Sequence, residues 1–183
     1  MRVYVDNNLF SYLLALTDGK KLDPFVDREA RALRDLLARS DVEVRCSDES
    51  LTEMDCIMDA EKRQRLQSLY AAVKAGAPVV RNARVRWDDG VTRWDSPDAT
   101  WDHRHTDIER QRIASFLQEK GIHVNKLDVR YLANAALAEN KIDVFLTADK
   151  KSIWNFRDEL RNRFGIRVAL PSELVGELAR QNQ

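Results

Sequence analysis

The chain has 183 residues, and its 30 Lys plus Arg are balanced by 30 Asp plus Glu, so the formal net charge is zero. That balance excludes a uniformly basic nucleic-acid coat and leaves any such binding to a local patch. No apolar run approaches the roughly 20 residues of a membrane-spanning helix, and the N-terminus lacks the basic and apolar regions of a secretion signal, so the expectation is a cytoplasmic protein with no membrane partner.

The length suits one domain over 1–183 with a sizeable core. Val3, Tyr4 and Val5 favour a first buried strand. Asp6, Asn7 and Asn8 follow at once. A helical pattern then begins, with Leu9, Phe10, Leu13, Leu14 and Leu16 on one face. Asp6 therefore stands where a strand turns into a helix, the edge at which open α/β sheets bind ligands. It is equally suited to a plain helix N-cap. After a break at Thr17 to Lys20 and a turn at Asp23-Pro24, residues 27–39 form an amphipathic pattern. Ala30, Leu33, Leu36 and Leu37 face inward, and Arg28, Arg31 and Arg34 face outward. Val42, Val44 and Cys46 alternate as a second strand. Ser47 or Asp48 then caps a helix running through Leu51, Met54 and Met58, and Glu53 lies on it. Most glutamates on helices are simply solvated. A further helix at 61–75 closes at Gly76 and Pro78. Cys46 in its strand and Cys56 in its helix read as buried or half-buried thiols of a reducing compartment.

Residues 81–104 have a different character. Arginines alternate with aspartates, and Trp87, Trp94 and Trp101 recur at equal intervals, each followed by Asp. Gly90 and Pro97 oppose a continuous helix, so the stretch reads as an inserted loop or hairpin. Its indoles either pin the loop to the body or a partner chain or stack unpaired bases, with Trp94 as the nucleic-acid candidate. The packing role is favoured. His103 and His105 form an H-x-H pair that would chelate a metal from a strand, but no further ligand follows at diagnostic spacing. A helix over 107–120 ends at Gly121.

The remaining chain repeats the strand–helix alternation. Asp128 opens a helix rich in small residues, where the helix dipole alone would favour it. Val144, Phe145 and Leu146 form a short apolar run typical of an inner parallel strand, and Thr147 and Asp149 leave its carboxyl end. Arg167 to Leu170 is a last strand, followed by a helix opened by Pro171. This order implies an α/β fold, a parallel sheet sandwiched by helices. Asp6, Asp128, Asp149 and, by reach, Glu53 acquire the same sheet edge. Clustered carboxylates repel, and a divalent cation removes that penalty. An all-oxygen set favours Mg²⁺ or Mn²⁺ over zinc. Such a site activates water and stabilises displacement at phosphorus. Asn8 stands where an Asp-x-Asp phosphatase needs its second acid, and Asn7-Asn8 fail the paired acids of a receiver domain.

The segments VYVDNNLF, SDESLTEM, LDVRYLANAAL and DVFLTADKKSIWNF together resemble the PIN-domain family of nucleases, which includes VapC-type toxins. The resemblance covers the chain to about residue 175 apart from the tryptophan-rich insert, and the last segment is its most specific part. It implies metal-binding catalytic carboxylates at Asp6, Glu53, Asp128 and Asp149, with Asn8 and Thr147 as supporting polar groups. It further implies Mg²⁺- or Mn²⁺-dependent hydrolysis of single-stranded or structured RNA, and it brings a homodimer or an antitoxin-like protein into view as partners. Asn7 replaces the small hydroxyl residue common after the first acid, and Glu49 and Asp55 compete with Glu53. Lys150 is the side chain expected to touch nucleic acid. The alternative expectation is a PIN-like module that binds RNA or protein with little cleavage.

Overall fold

The computed structural model describes residues 1–47, 49–74, 103–121 and 126–181, with side chains described for these except 103–109, 126, 127 and 139. Four strands, β1 (Arg2–Val5), β2 (Glu43–Arg45), β3 (Val144–Leu146) and β4 (Val168–Ala169), form one sheet in the order β2-β1-β3-β4. All neighbours are parallel, with Val3 opposite Val44 and Val144, Val5 opposite Leu146, and Leu146 opposite Ala169. The helices are α1 (Asn7–Thr17), α2 (Pro24–Leu37), α3 (Glu49–Asp55), α4 (Ala60–Lys74), α5 (His103–Glu119), α6 (Lys126–Ala136), α7 (Arg157–Phe164) and α8 (Pro171–Gln181). The result is the expected parallel sheet with helices on both faces.

Side-chain alternation explains the two layers. Along β1, Val3 and Val5 join Leu9, Phe10, Leu33, Leu36, Val144 and Leu146 in a core on one face of the sheet. Tyr4 points the other way and joins Phe145, Tyr131, Leu132, Phe116 and Leu160. The inner strands β1 and β3 are thus apolar on both faces, as parallel strands covered on both sides must be. From β1 the chain moves outward to β2, and after α3 to α6 it returns on the other side of β1 as β3. The carboxyl ends of β1 and β3 therefore flank the topological switch point, the place where open α/β sheets bind ligands.

Several local expectations shift. Pro24 occupies the first turn of α2, capped by Asp23, whose carboxylate accepts from the Phe25 amide at 2.9 Å, so this helix starts before residue 27. Helix α3 ends at Asp55, and Met58, expected on its apolar face, is 94% exposed. Cys46 is buried, but Cys56 is exposed rather than half-buried. His103 and His105 fall in the first turns of α5, not on the strand that an H-x-H chelate requires. Most of the 81–104 insert, with Trp87, Trp94 and Trp101, lies outside the described residues. Among the described residues, no helix is long and apolar enough to cross a membrane.

Phe145 is fully buried and packs against Tyr4 at a ring-centroid distance of 5.6 Å. Phe145→Ala is expected to cost about 3–5 kcal/mol, as large-to-small core changes do. Urea unfolding of the variant beside the parent chain measures it.

Candidate active site

Asp6 continues the ladder of β1, since its amide donates to Leu146 O at 2.9 Å. Its backbone is the N-cap of α1, yet its side chain makes no capping bond. The carboxylate points instead across the switch point. Oδ2 accepts from Thr147 Oγ1 at 2.6 Å and from Asn8 Nδ2 at 2.8 Å. The same threonine oxygen accepts from the Asp149 amide at 3.0 Å and from Asn8 Nδ2 at 3.4 Å. Asp6 is 5% exposed and Thr147 is fully buried. The hydroxyl of Thr147 thus locks the end of β3 to the end of β1 and fixes the Asp6 carboxylate.

Asp149 is half-buried and turned into its own loop. Oδ1 accepts from the Lys151 and Ser152 amides, each at 3.0 Å, while Oδ2 accepts from the Ser152 hydroxyl. This is the local side-chain capping that aspartate favours in turns.

The three acids of α3 separate by environment. Glu49 is buried and pairs with Arg130 of α6 at 3.5 Å. Asp55 is exposed and accepts from Gln67 Nε2 at 2.7 Å. Glu53 accepts from Tyr131 Oη at 3.1 Å, and that hydroxyl lies 3.3 Å from Ser50 Oγ. Tyr131 stands one turn after Asp128 on α6, so the same helix presents Asp128 and holds Glu53. The buried Glu49–Arg130 pair ties α3 to α6 beneath them. Breaking such a pair is costly because the remaining charge is left uncompensated.

The electrostatics show which acids share a neighbourhood. Burial, and then the charges of Asp128, Glu53 and Asp149, push Asp6 up to about 7, against the pull of the Thr147 hydrogen bond. Each expected acid therefore acts on Asp6. Among the described residues, however, no three His, Cys, Asp or Glu side chains stand close enough together to hold a metal ion. The engagement of Asp149 in its own turn is consistent with this. Asn8 Oδ1 is buried beside Asp6 without a hydrogen-bond partner among the described residues. A hard cation or its bound water is the kind of group that such an oxygen and a repelling carboxylate set would accept.

Of the nucleic-acid candidates, Lys150 is exposed, with its ammonium 4.1 Å from the centroid of Phe25. Trp94 lies outside the described residues. Sequence reading missed Tyr12, whose phenol is raised by burial and then by the charges of Asp149 and Asp6. It also missed Tyr131 and Ser152. Their signal was helical or turn spacing from an expected site residue: Tyr12 four residues after Asn8, and Tyr131 and Ser152 three after Asp128 and Asp149.

No protein-family model matches the sequence, and no curated protein matches it significantly. Solved structures do. A chain of the VapBC2 complex of Rickettsia felis, bound to a DNA fragment from its promoter, superposes with a TM-score of 0.55 at 13% identity, over 92% of this chain and 98% of that one. A chain of VapBC-1 from nontypeable Haemophilus influenzae gives a TM-score of 0.51 at 11% identity, over 94% of this chain and 99% of that one. At these identities the likeness concerns the fold: a parallel sheet flanked by helices in the PIN-like arrangement.

A raised carboxylate binds its proton more tightly folded than unfolded. Stability from this group is therefore greatest when Asp6 is protonated, and it falls as pH rises from the ordinary carboxylate value, near 4, to about 7. Asp6→Asn is expected to melt above the parent chain at pH 8 in EDTA, with the gap narrowing toward pH 5. Melting curves of both proteins across that range measure it.

Proposed function

We propose that the chain is a Mg²⁺- or Mn²⁺-dependent ribonuclease. The observation that carries this reading is Asp6: a buried carboxylate at the switch point, not used as a helix cap and raised to about 7 by burial and by Asp128, Glu53 and Asp149. A fold does not need to concentrate such charge for its own stability, and functional sites are where strongly perturbed acids gather. Asp6, Glu53, Asp128 and Asp149 would hold the metal. When bound, a divalent cation supplies a lowered water pKa and charge stabilisation at phosphorus. The chain's own residues have separate tasks. Thr147 and Asn8 orient the Asp6 carboxylate, Tyr131 holds Glu53, and Tyr12 lies in the field of Asp6 and Asp149. Asn8 Oδ1 remains to accept a hydrogen bond from a water molecule.

A second reading is favoured by one specific observation. Asp149 is held by Lys151 and Ser152, and no metal-ready trio is assembled among the described residues. On that reading the chain is a PIN-like module that binds RNA or a protein partner with little cleavage. The similar structures are VapBC complexes, so an antitoxin-like protein is one partner we propose, and a second copy of the chain is another.

Incubation of the chain with mixed single-stranded RNA and DNA oligonucleotides in Mn²⁺, Mg²⁺ or EDTA separates the two. The nuclease reading expects metal-dependent RNA cutting. It also expects Asp6→Asn and Asp149→Asn to fold normally and lose roughly 100-fold or more of the rate, the scale on which one preorganised charged group acts. Equal cutting by Asp6→Asn, or RNA binding without cutting in any metal, contradicts it. Mn²⁺ is also expected to raise the melting temperature of the parent chain but not of Asp6→Asn, because the cation relieves the same repulsion that the substitution removes.

A further inference from the structure

The segment after Asp149 carries a row of cations and rings. Lys150 Nζ lies 4.1 Å from the centroid of Phe25 and 5.7 Å from that of Trp154. Arg157 Cζ continues the row, 4.0 Å from the centroid of the Trp154 ring. Trp154 is held in place by donating Nε1 to Glu173 at 3.0 Å. The row therefore leads from the acidic edge along the loop that Asp149 caps and into the start of α7.

It ends at a cavity of about 420 Å³ between α7, β4 and α8. Arg157, Arg161, Arg167 and Arg180 line it, against Asp158, Glu173 and Glu177. The carboxylates are mostly committed. Glu177 pairs with Arg167. Glu173 takes both the Trp154 indole and the Leu170 amide, the latter at 3.0 Å. Arg161 and Arg180 are exposed and have no carboxylate partner among the described residues. The lining thus holds four guanidinium groups against three carboxylates; with Arg167 paired and Arg157 turned to its tryptophan, Arg161 and Arg180 are the two guanidinium groups left without a carboxylate among the described residues. A mostly polar cavity with that surplus suits an oxyanion, and the guanidinium fork matches phosphate in particular.

We infer that this cavity is a phosphate-binding subsite for an RNA strand that leaves the acidic edge across Lys150 and Trp154. The inference rests on the ribonuclease reading and gives its substrate a path. Interleaved cations and aromatic rings are how single strands are held without sequence preference: bases lie against rings while the backbone follows the charges. An acidic peptide would also find the arginines, but it has no use for the ring row that joins them to the acidic edge.

The test is fluorescence anisotropy of a fluorescein-labelled oligouridylate in EDTA, so that the strand stays intact. The parent chain is compared with Arg161→Gln/Arg180→Gln and with Lys62→Gln/Lys141→Gln, which removes the same charge away from the cavity. Both pairs alter exposed side chains, and matched melting temperatures establish that each folds. The cavity pair is expected to weaken binding roughly tenfold or more. It is also expected to lower the dependence of log affinity on log salt by about 0.7 for each phosphate that is no longer neutralised. The control pair is expected to change neither beyond a general charge effect. If the parent chain binds and cuts RNA while both pairs behave alike, the subsite is wrong and the ribonuclease reading stands. If the parent chain neither binds nor cuts RNA, both fail. A cavity pair that loses binding to polyglutamate but keeps RNA affinity reassigns the cavity to an acidic peptide and overturns the inference.

Discussion

The structure depends on a carboxylate placed where a carboxylate is least comfortable. Asp6 ends the central strand β1, is almost wholly buried, and lies in the field of Asp128, Glu53 and Asp149. Desolvation and like charge both disfavour its ionised form. The Thr147 and Asn8 hydrogen bonds act in the opposite direction and hold the charged form in one orientation. A carboxylate raised to about 7 by burial and like charge is one that a cation brought to the edge would stabilise in its ionised form.

The scaffold places these acids together through a few long-range constraints. Two-sided burial makes β1 and β3 neighbours, and the register that pairs Val5 with Leu146 brings Asp6 beside Thr147. On the other side, α3 is fixed by a buried polar group. Tyr4 Oη lies 2.6 Å from Ser47 Oγ, and Tyr70 Oη donates to Ser47 O at 2.8 Å. The Glu49–Arg130 pair and the Tyr131–Glu53 hydrogen bond then join α3 to α6. Glu53 and Asp128 are thereby carried by elements tied both to each other and to the strand that carries Asp6. Interactions with structural roles and interactions at the site are continuous here, so substitutions at Ser47 or Arg130 would be felt at the acidic edge.

Much of this was legible in the sequence, for identifiable reasons. The runs Val3 to Val5 and Val144 to Leu146 are short, apolar and followed directly by polar residues, so both strand ends could be read, and with them Asp6, Thr147 and Asp149. The choice among Glu49, Glu53 and Asp55 could not be read. Their different surroundings depend on Arg130 and Tyr131, far away in sequence, which take Glu49 into a buried pair and hold Glu53 by a hydrogen bond. The role of Asp149 was also incompletely readable. Its spacing suggested a ligand, whereas Ser152 and the Lys151 amide show that it is first of all the cap of its turn. The helical pattern through Met58 failed because α3 stops at Asp55, leaving an apolar side chain with nothing to cover it. The H-x-H pair failed because period-two spacing carries meaning only on a strand, and the chain there is helical. The ring row of Phe25, Lys150 and Trp154 was invisible because Phe25 comes from α2 and meets the later segment only in the fold.

The central claim is that four carboxylates from four separate segments form one electrostatic unit around Asp6. A carboxyl-carbon NMR titration of Asp6 in metal-free buffer tests it most directly, with Glu53→Gln and Asp128→Asn as companions. The account predicts a midpoint of about 7 in the parent chain and a lower midpoint in each variant, since each removes a like charge. A midpoint in the ordinary carboxylate range, unmoved by either substitution, would contradict it.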